Sequence, residues 1–75
     1  MLPNRPDTTV RPVLSHRETE VLAIAAEGLT NEQIAARLAI TSHAVKFHLS
    51  SIYRKLGVAN RTEAVVAYLR FGATA

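Results

Sequence analysis

After Pro12 the apolar residues recur at intervals of three and four and never alternate with polar ones over any length, a pattern that predicts helices and no strands. Punctuation divides them into four. The first helix begins at Ser15, with Glu18 at the spacing where a hydroxyl and a carboxylate cap a helix start reciprocally. Its inward face is Leu14, Val21, Leu22 and Ala25, and Gly28 stops it. The second helix opens at Thr30 or Asn31, where Thr30 and Gln33 repeat the capping pair, and its core face is Ile34, Ala35 and Leu38. Leu38-Ala39-Ile40-Thr41 then forms a tight connection that ends in an N-cap. The third helix is expected from about Ser42 to Leu56, with Gly57 as its stop and a narrow apolar stripe of Val45, Leu49, Ile52 and Leu56. The fourth is expected to start at Asn60, with Glu63 completing another cap pair, and to reach about Phe71. The predicted fold class is all-α: a four-helix bundle containing a helix-turn-helix at about residues 31–50.

Length and composition bound this picture. With 75 residues the chain holds one domain, and one so small buries only about 60% of the surface its unfolded chain exposes. Pro3, Pro6 and Pro12 all lie near the start, so residues 1–13 read as a flexible arm or the end of a linker, 14–72 as the domain and 73–75 as a tail. The proline-rich arm favours a segment of a larger protein over a stand-alone one. There is no cysteine, which excludes disulfides, thiolate zinc sites and thiol catalysis. No apolar run approaches the roughly 18 residues of a membrane span, and the first residues lack the apolar core of a signal peptide. The expected location is therefore cytoplasmic, with no membrane contact.

Charge sharpens the functional reading. The formal net charge is +3, and the signs are segregated. From Glu18 to Glu32 the charged residues are Glu18, Glu20, Glu27 and Glu32; from Gln33 to Thr62 they are Arg37, Lys46, Arg54, Lys55 and Arg61. Opposite its apolar stripe the third helix carries His43, Lys46, Phe47, Ser50 and Arg54, and no acid. An ordinary surface helix mixes signs there, and an outward Phe needs a reason: a protein neighbour or a bound partner. In a DNA major groove, Lys46 can donate to guanine O6 and N7, and Phe47 can touch a thymine methyl. A short helix, a tight turn and a longer acid-free helix are the parts of a helix-turn-helix. Free N–H groups at helix starts also suit phosphates, which adds Thr30, Asn31, Thr41 and Ser42 as backbone candidates, although capping alone would account for all four.

The ordered set of motifs resembles LuxR-type helix-turn-helix domains, the GerE-like effector domains. The matching stretches are Leu14 to Leu22, Gly28 to Ala35, Val45-Lys46-Phe47-His48, Lys55-Leu56-Gly57-Val58 and Asn60-Arg61-Thr62-Glu63-Ala64-Val65, so the resemblance covers residues 14–72. It implies the C-terminal effector domain of a transcription regulator, found in response regulators of the NarL/FixJ type, quorum-sensing regulators and MalT-like activators. It implies double-stranded operator DNA as partner, a homodimer on DNA formed through the fourth helix, and RNA polymerase as a further candidate. Carried over, Lys46 is the contact lysine, Phe47 touches bases, and Arg54, Lys55 and Arg61 lie near the backbone; His48 is expected half-buried. The dimer contact is expected around Val66, Ala67 and Arg70. Ala44 departs from the usual Thr and removes one phosphate hydrogen bond; Ser50 replaces a longer side chain and would reach DNA through water. The end, Gly72-Ala73-Thr74-Ala75, lacks the family's apolar continuation.

Three rivals remain. A sigma-factor region-4-like module shares the helix-turn-helix but lacks the Lys-Leu-Gly-Val turn into a capped fourth helix. A protein-interaction bundle would explain the surplus of Val66, Tyr68, Leu69 and Phe71 on the fourth helix, though self-association explains it equally. Enzyme activity is not expected: His16, His43 and His48 lack the spacing of a helical metal pair, and no nucleophile has a base beside it. No cofactor, metal or small-molecule ligand is expected in this domain.

Overall fold

The computed structural model describes residues 14–71, with the side chain of Phe71 left aside. The arm at 1–13 and the tail at 73–75, with Gly72, lie outside the described residues. Within them the chain forms four helices: α1 (His16–Ala26), α2 (Asn31–Leu38), α3 (Ser42–Leu56) and α4 (Arg61–Phe71). The four-helix, all-α expectation is met, and no strand occurs among the described residues.

Each helix starts where a side chain can satisfy its orphan N–H groups. Ser15 Oγ accepts from the Glu18 amide at 3.0 Å, while Glu18 Oε1 accepts from the Ser15 amide at 2.8 Å. Thr30 and Gln33 repeat the exchange at 3.1 and 2.8 Å. Thr41 caps α3 by accepting from the Ala44 amide at 3.0 Å. At α4 the expected pair is skewed: Asn60 Oδ1 accepts from the Glu63 amide, but Glu63 Oε1 accepts from the amide of Ala59, not of Asn60. The ends are set by left-handed backbone. Gly57 closes α3 at φ +70°, and Ala39 closes α2 at φ +58° in the helix-turn-helix turn itself.

Val21, Leu22, Ile24 and Ala25 of α1, Ile34 and Ala35 of α2, Val45, Leu49 and Ile52 of α3 and Ala64 of α4 make one core. Leu14, Leu38 and Leu56, expected inside, are half-buried at its edge, together with Tyr53 and Tyr68. Helix α3 packs against all three others, and α1 packs against α2 and α4. The buried stripe of α3 therefore fixes which face of that helix is turned outward. No helix among the described residues is long and apolar enough to cross a membrane.

Candidate nucleic-acid interface

Burial of Val45, Leu49 and Ile52 leaves His43, Lys46, Phe47, Ser50 and Arg54 exposed along one side of α3. Phe47 is 69% exposed, a large apolar area to leave in water. Its ring meets His48 edge-on, with centroids 6.1 Å apart, and His48 is half-buried as expected. Lys46 and Arg54 form no ion pair among the described residues, so their charge is available to an outside anion. The face offers ammonium, guanidinium and hydroxyl donors, an imidazole and an aromatic surface, with no carboxylate to repel phosphate.

The starts of α2 and α3 carry further polar groups. Thr30 and Thr41 are exposed and use their hydroxyl oxygens as cap acceptors, which leaves each O–H to donate elsewhere. Asn31 and Ser42 are half-buried.

Two of the expected backbone cations are engaged within the protein. Lys55 Nζ donates to Glu18 Oε1 at 2.9 Å. Arg61, the first residue of α4, sends its guanidinium to the α1–α2 junction: Nη1 donates to Asn31 Oδ1 at 3.2 Å, and Nη2 to the carbonyls of Ala25, at 3.3 Å, and Leu29. The physical reason is the partial negative charge of the carbonyls at the C-terminal end of α1 and in the turn after it, which attracts a cation with a fork of donors.

The sequence reading treated Glu18 only as a cap. It is also the centre of a buried network. Its carboxylate, 5% exposed, accepts from the Ser15 amide and Lys55 through Oε1 and from Ser51 Oγ at 2.7 Å through Oε2. Burial alone would raise its pKa; the bonds from Ser15, Ser51 and Lys55, with the charge of Lys55, outweigh it and hold the carboxyl at about 2. A signal was present: Glu18 stands at helical spacing from Val21, Leu22 and Ala25, which makes it an acid on an apolar face. Among the described residues, no group of three or more His, Cys, Asp or Glu is placed to hold a metal ion.

The family described as "Bacterial regulatory proteins, luxR family" matches residues 12–68. The probable transcriptional regulatory protein SgaR of Hyphomicrobium methylovorum is 52% identical over 56 residues, which are 75% of this chain and 26% of that protein. The HTH-type transcriptional regulator MalT of Vibrio campbellii is 41% identical over 64 residues, 85% of this chain and 7% of that protein. The chain thus spans about a quarter of the length of the first relative and 7% of the second. Among solved structures, the transcription factor GerE matches with a TM-score of 0.75 and 32% identity, over 83% of this chain and 92% of GerE. The response regulator ChrA of a haem-sensing two-component system matches with the same TM-score of 0.75 and 47% identity, over 88% of this chain and 31% of ChrA.

Proposed function

The chain belongs to the luxR family of bacterial regulatory proteins and carries its helix-turn-helix DNA-binding domain, and from that premise we propose that α3 is a recognition helix read into the major groove of operator DNA. Lys46 and Phe47 read base edges, the lysine by donating to guanine and the ring by covering a thymine methyl. His43 and Ser50 support them, the serine through bridging water. Thr30, Asn31, Thr41, Ser42 and Arg54 hold the phosphate backbone, with the N–H groups at the starts of α2 and α3 directed to the same anions. Lys55 is paired with Glu18 but remains exposed, and Arg61 is bound at the α1–α2 junction.

One observation carries the reading: the outer face of α3 is exposed, acid-free and cationic, and holds a Phe that is 69% exposed. A surface helix whose only neighbour is water has no use for that combination.

Binding as a homodimer follows from the second unpartnered surface. On α4, Val66 and Leu69 are 46% and 64% exposed, beside Ala67 and Arg70. Burying them against a second copy across a two-fold axis would place two recognition helices for half-sites about 34–36 Å apart. The domain then serves as the effector of a transcription regulator, with its switch elsewhere in the longer protein. The test is a mobility-shift titration against salt with a duplex selected from a random pool. The affinity should fall steeply as salt rises through counterion release; an absence of binding at low salt would reject the proposal.

A further inference from the structure

The inward turn of Arg61 raises the question of what that residue does for a DNA-binding surface it does not join. Its guanidinium touches three groups: the Ala25 carbonyl near the end of α1, the Leu29 carbonyl in the turn and the side chain of Asn31, the first residue of α2. A guanidinium only donates. The Asn31 amide has one end that accepts and one that donates, so Arg61 selects its orientation: Oδ1 is bound to Nη1, and the NH2 group is the end left for any other partner. Asn31 lies at the start of α2, beside the exposed hydroxyl of Thr30.

We infer that Arg61 is a positioning residue for DNA binding: it contacts no DNA but holds Asn31 with its amide N–H2 presented to a backbone phosphate. This rests on the proposal that Asn31 faces the DNA backbone, and adds the means by which it does so. It also places the first residue of α4, the proposed dimer helix, in direct control of a donor on the helix-turn-helix.

The inference separates stability from binding in a way that a purely structural role does not. Asn31→Asp keeps the acceptor that Arg61 grips and turns the bond into an ion pair, but replaces the phosphate donor with a carboxylate oxygen. Gln33→Glu, two residues on, adds the same charge and also keeps its own internal bond, since a carboxylate accepts from the Thr30 amide as the Gln33 amide oxygen does. The two variants therefore share a charge change and differ in the phosphate donor.

The experiment uses the full chain, a fluorescein-labelled duplex of random sequence at low salt, and melting temperatures measured in parallel. Asn31→Asp is expected to melt at or above the wild type and to bind roughly tenfold or more weakly. Gln33→Glu is expected to stay within about threefold of the wild type, as a solvated charge does. Arg61→Gln, where folded, should bind more weakly with the wild-type salt slope, because only a neutral donor has been misplaced. Equal weakening by Asn31→Asp and Gln33→Glu would overturn the inference, since charge alone would then suffice. So would a lowered melting temperature for Asn31→Asp, which would mean that Arg61 does not hold Oδ1. A salt slope in Arg61→Gln reduced by about 0.9 per half-site would put Arg61 on a phosphate itself. Failure of the wild type to bind the duplex would reject the DNA reading on which the inference stands, a result distinct from the other three.

Discussion

Two residues at helix ends carry the same left-handed backbone and opposite expectations. Ala39 holds φ +58° with a side chain, whereas Gly57 holds φ +70° without one, and a Cβ built on Gly57 would meet no heavy atom within 4 Å. Sterics therefore add nothing at Gly57, and the backbone conformation alone sets the cost. For an L-residue that cost is about 1–2 kcal/mol, partly offset by the roughly 0.5–1 kcal/mol of extra chain entropy that glycine loses on folding. Gly57→Ala should destabilise by about 1 kcal/mol, and Ala39→Gly should stabilise by about 0.5–1 kcal/mol, seen as shifts of opposite sign in denaturant midpoint. Glu18 gives a third residue-level expectation. Its folded pKa of about 2 lies below its ordinary 4.5, so it stabilises the fold above pH 4.5 and that contribution is lost as the pH falls towards 2. The magnitude is on the order of 3 kcal/mol. Glu18→Gln should lower stability at neutral pH and flatten its decline in acid, checked by urea unfolding across that range; an unchanged acid slope would count against the buried network.

At the scale of the element, α3 divides its work by face. The stripe of Val45, Leu49 and Ile52 anchors it, Ser51 and Lys55 tie it to Glu18 of α1, and Lys46 and Arg54 are left outward. The two outward cations should behave differently. Lys46→Ala is expected to cost about 1–3 kcal/mol in binding and to relax preference at one base pair. Arg54→Ala should weaken all sequences alike and reduce the salt slope by about one unit. Binding curves for a selected and a scrambled duplex at several salt concentrations separate the two, and full affinity and specificity in Lys46→Ala would mean that another face of α3 enters the groove. This division was largely legible beforehand, because a helix face is a short-range property and its period is written in the order of residues. What the order of residues does not show is the set of internal bonds made by Lys55 and Arg61, whose partners lie on other helices and in the turn between them.

For the whole molecule the open question is assembly. The exposed Val66 and Leu69 form a small surface, and a dimer resting on α4 alone would bury less than the roughly 1,200 Å² of a stable standard interface. The free domain is therefore expected to be monomeric and to pair on DNA, where two adjacent half-sites raise the local concentration of the second copy. Val66→Asp should leave the melting temperature nearly unchanged, because the side chain is 46% exposed, while abolishing cooperative occupation of a two-half-site duplex. Sedimentation of protein–DNA complexes measures this directly, and unimpaired pairing in the variant would move the dimer surface elsewhere.

Helix number, approximate boundaries, the caps of the first three helices and the outward face of α3 were readable along the chain, because each depends on residues three or four positions apart; the α4 cap pair formed with Ala59 in place of Asn60 as the donor to Glu63. The Ser15, Thr30 and Thr41 caps form where the spacing placed them. Which charges are free was decided by the tertiary fold alone. Glu18 finds Ser51 and Lys55 across 33 and 37 residues, and Arg61 finds Asn31, Leu29 and Ala25 across 30, 32 and 36. No local pattern encodes such pairings: a cation reads the same in sequence whether it meets a phosphate or the carbonyls at the end of another helix, and only packing selects between them.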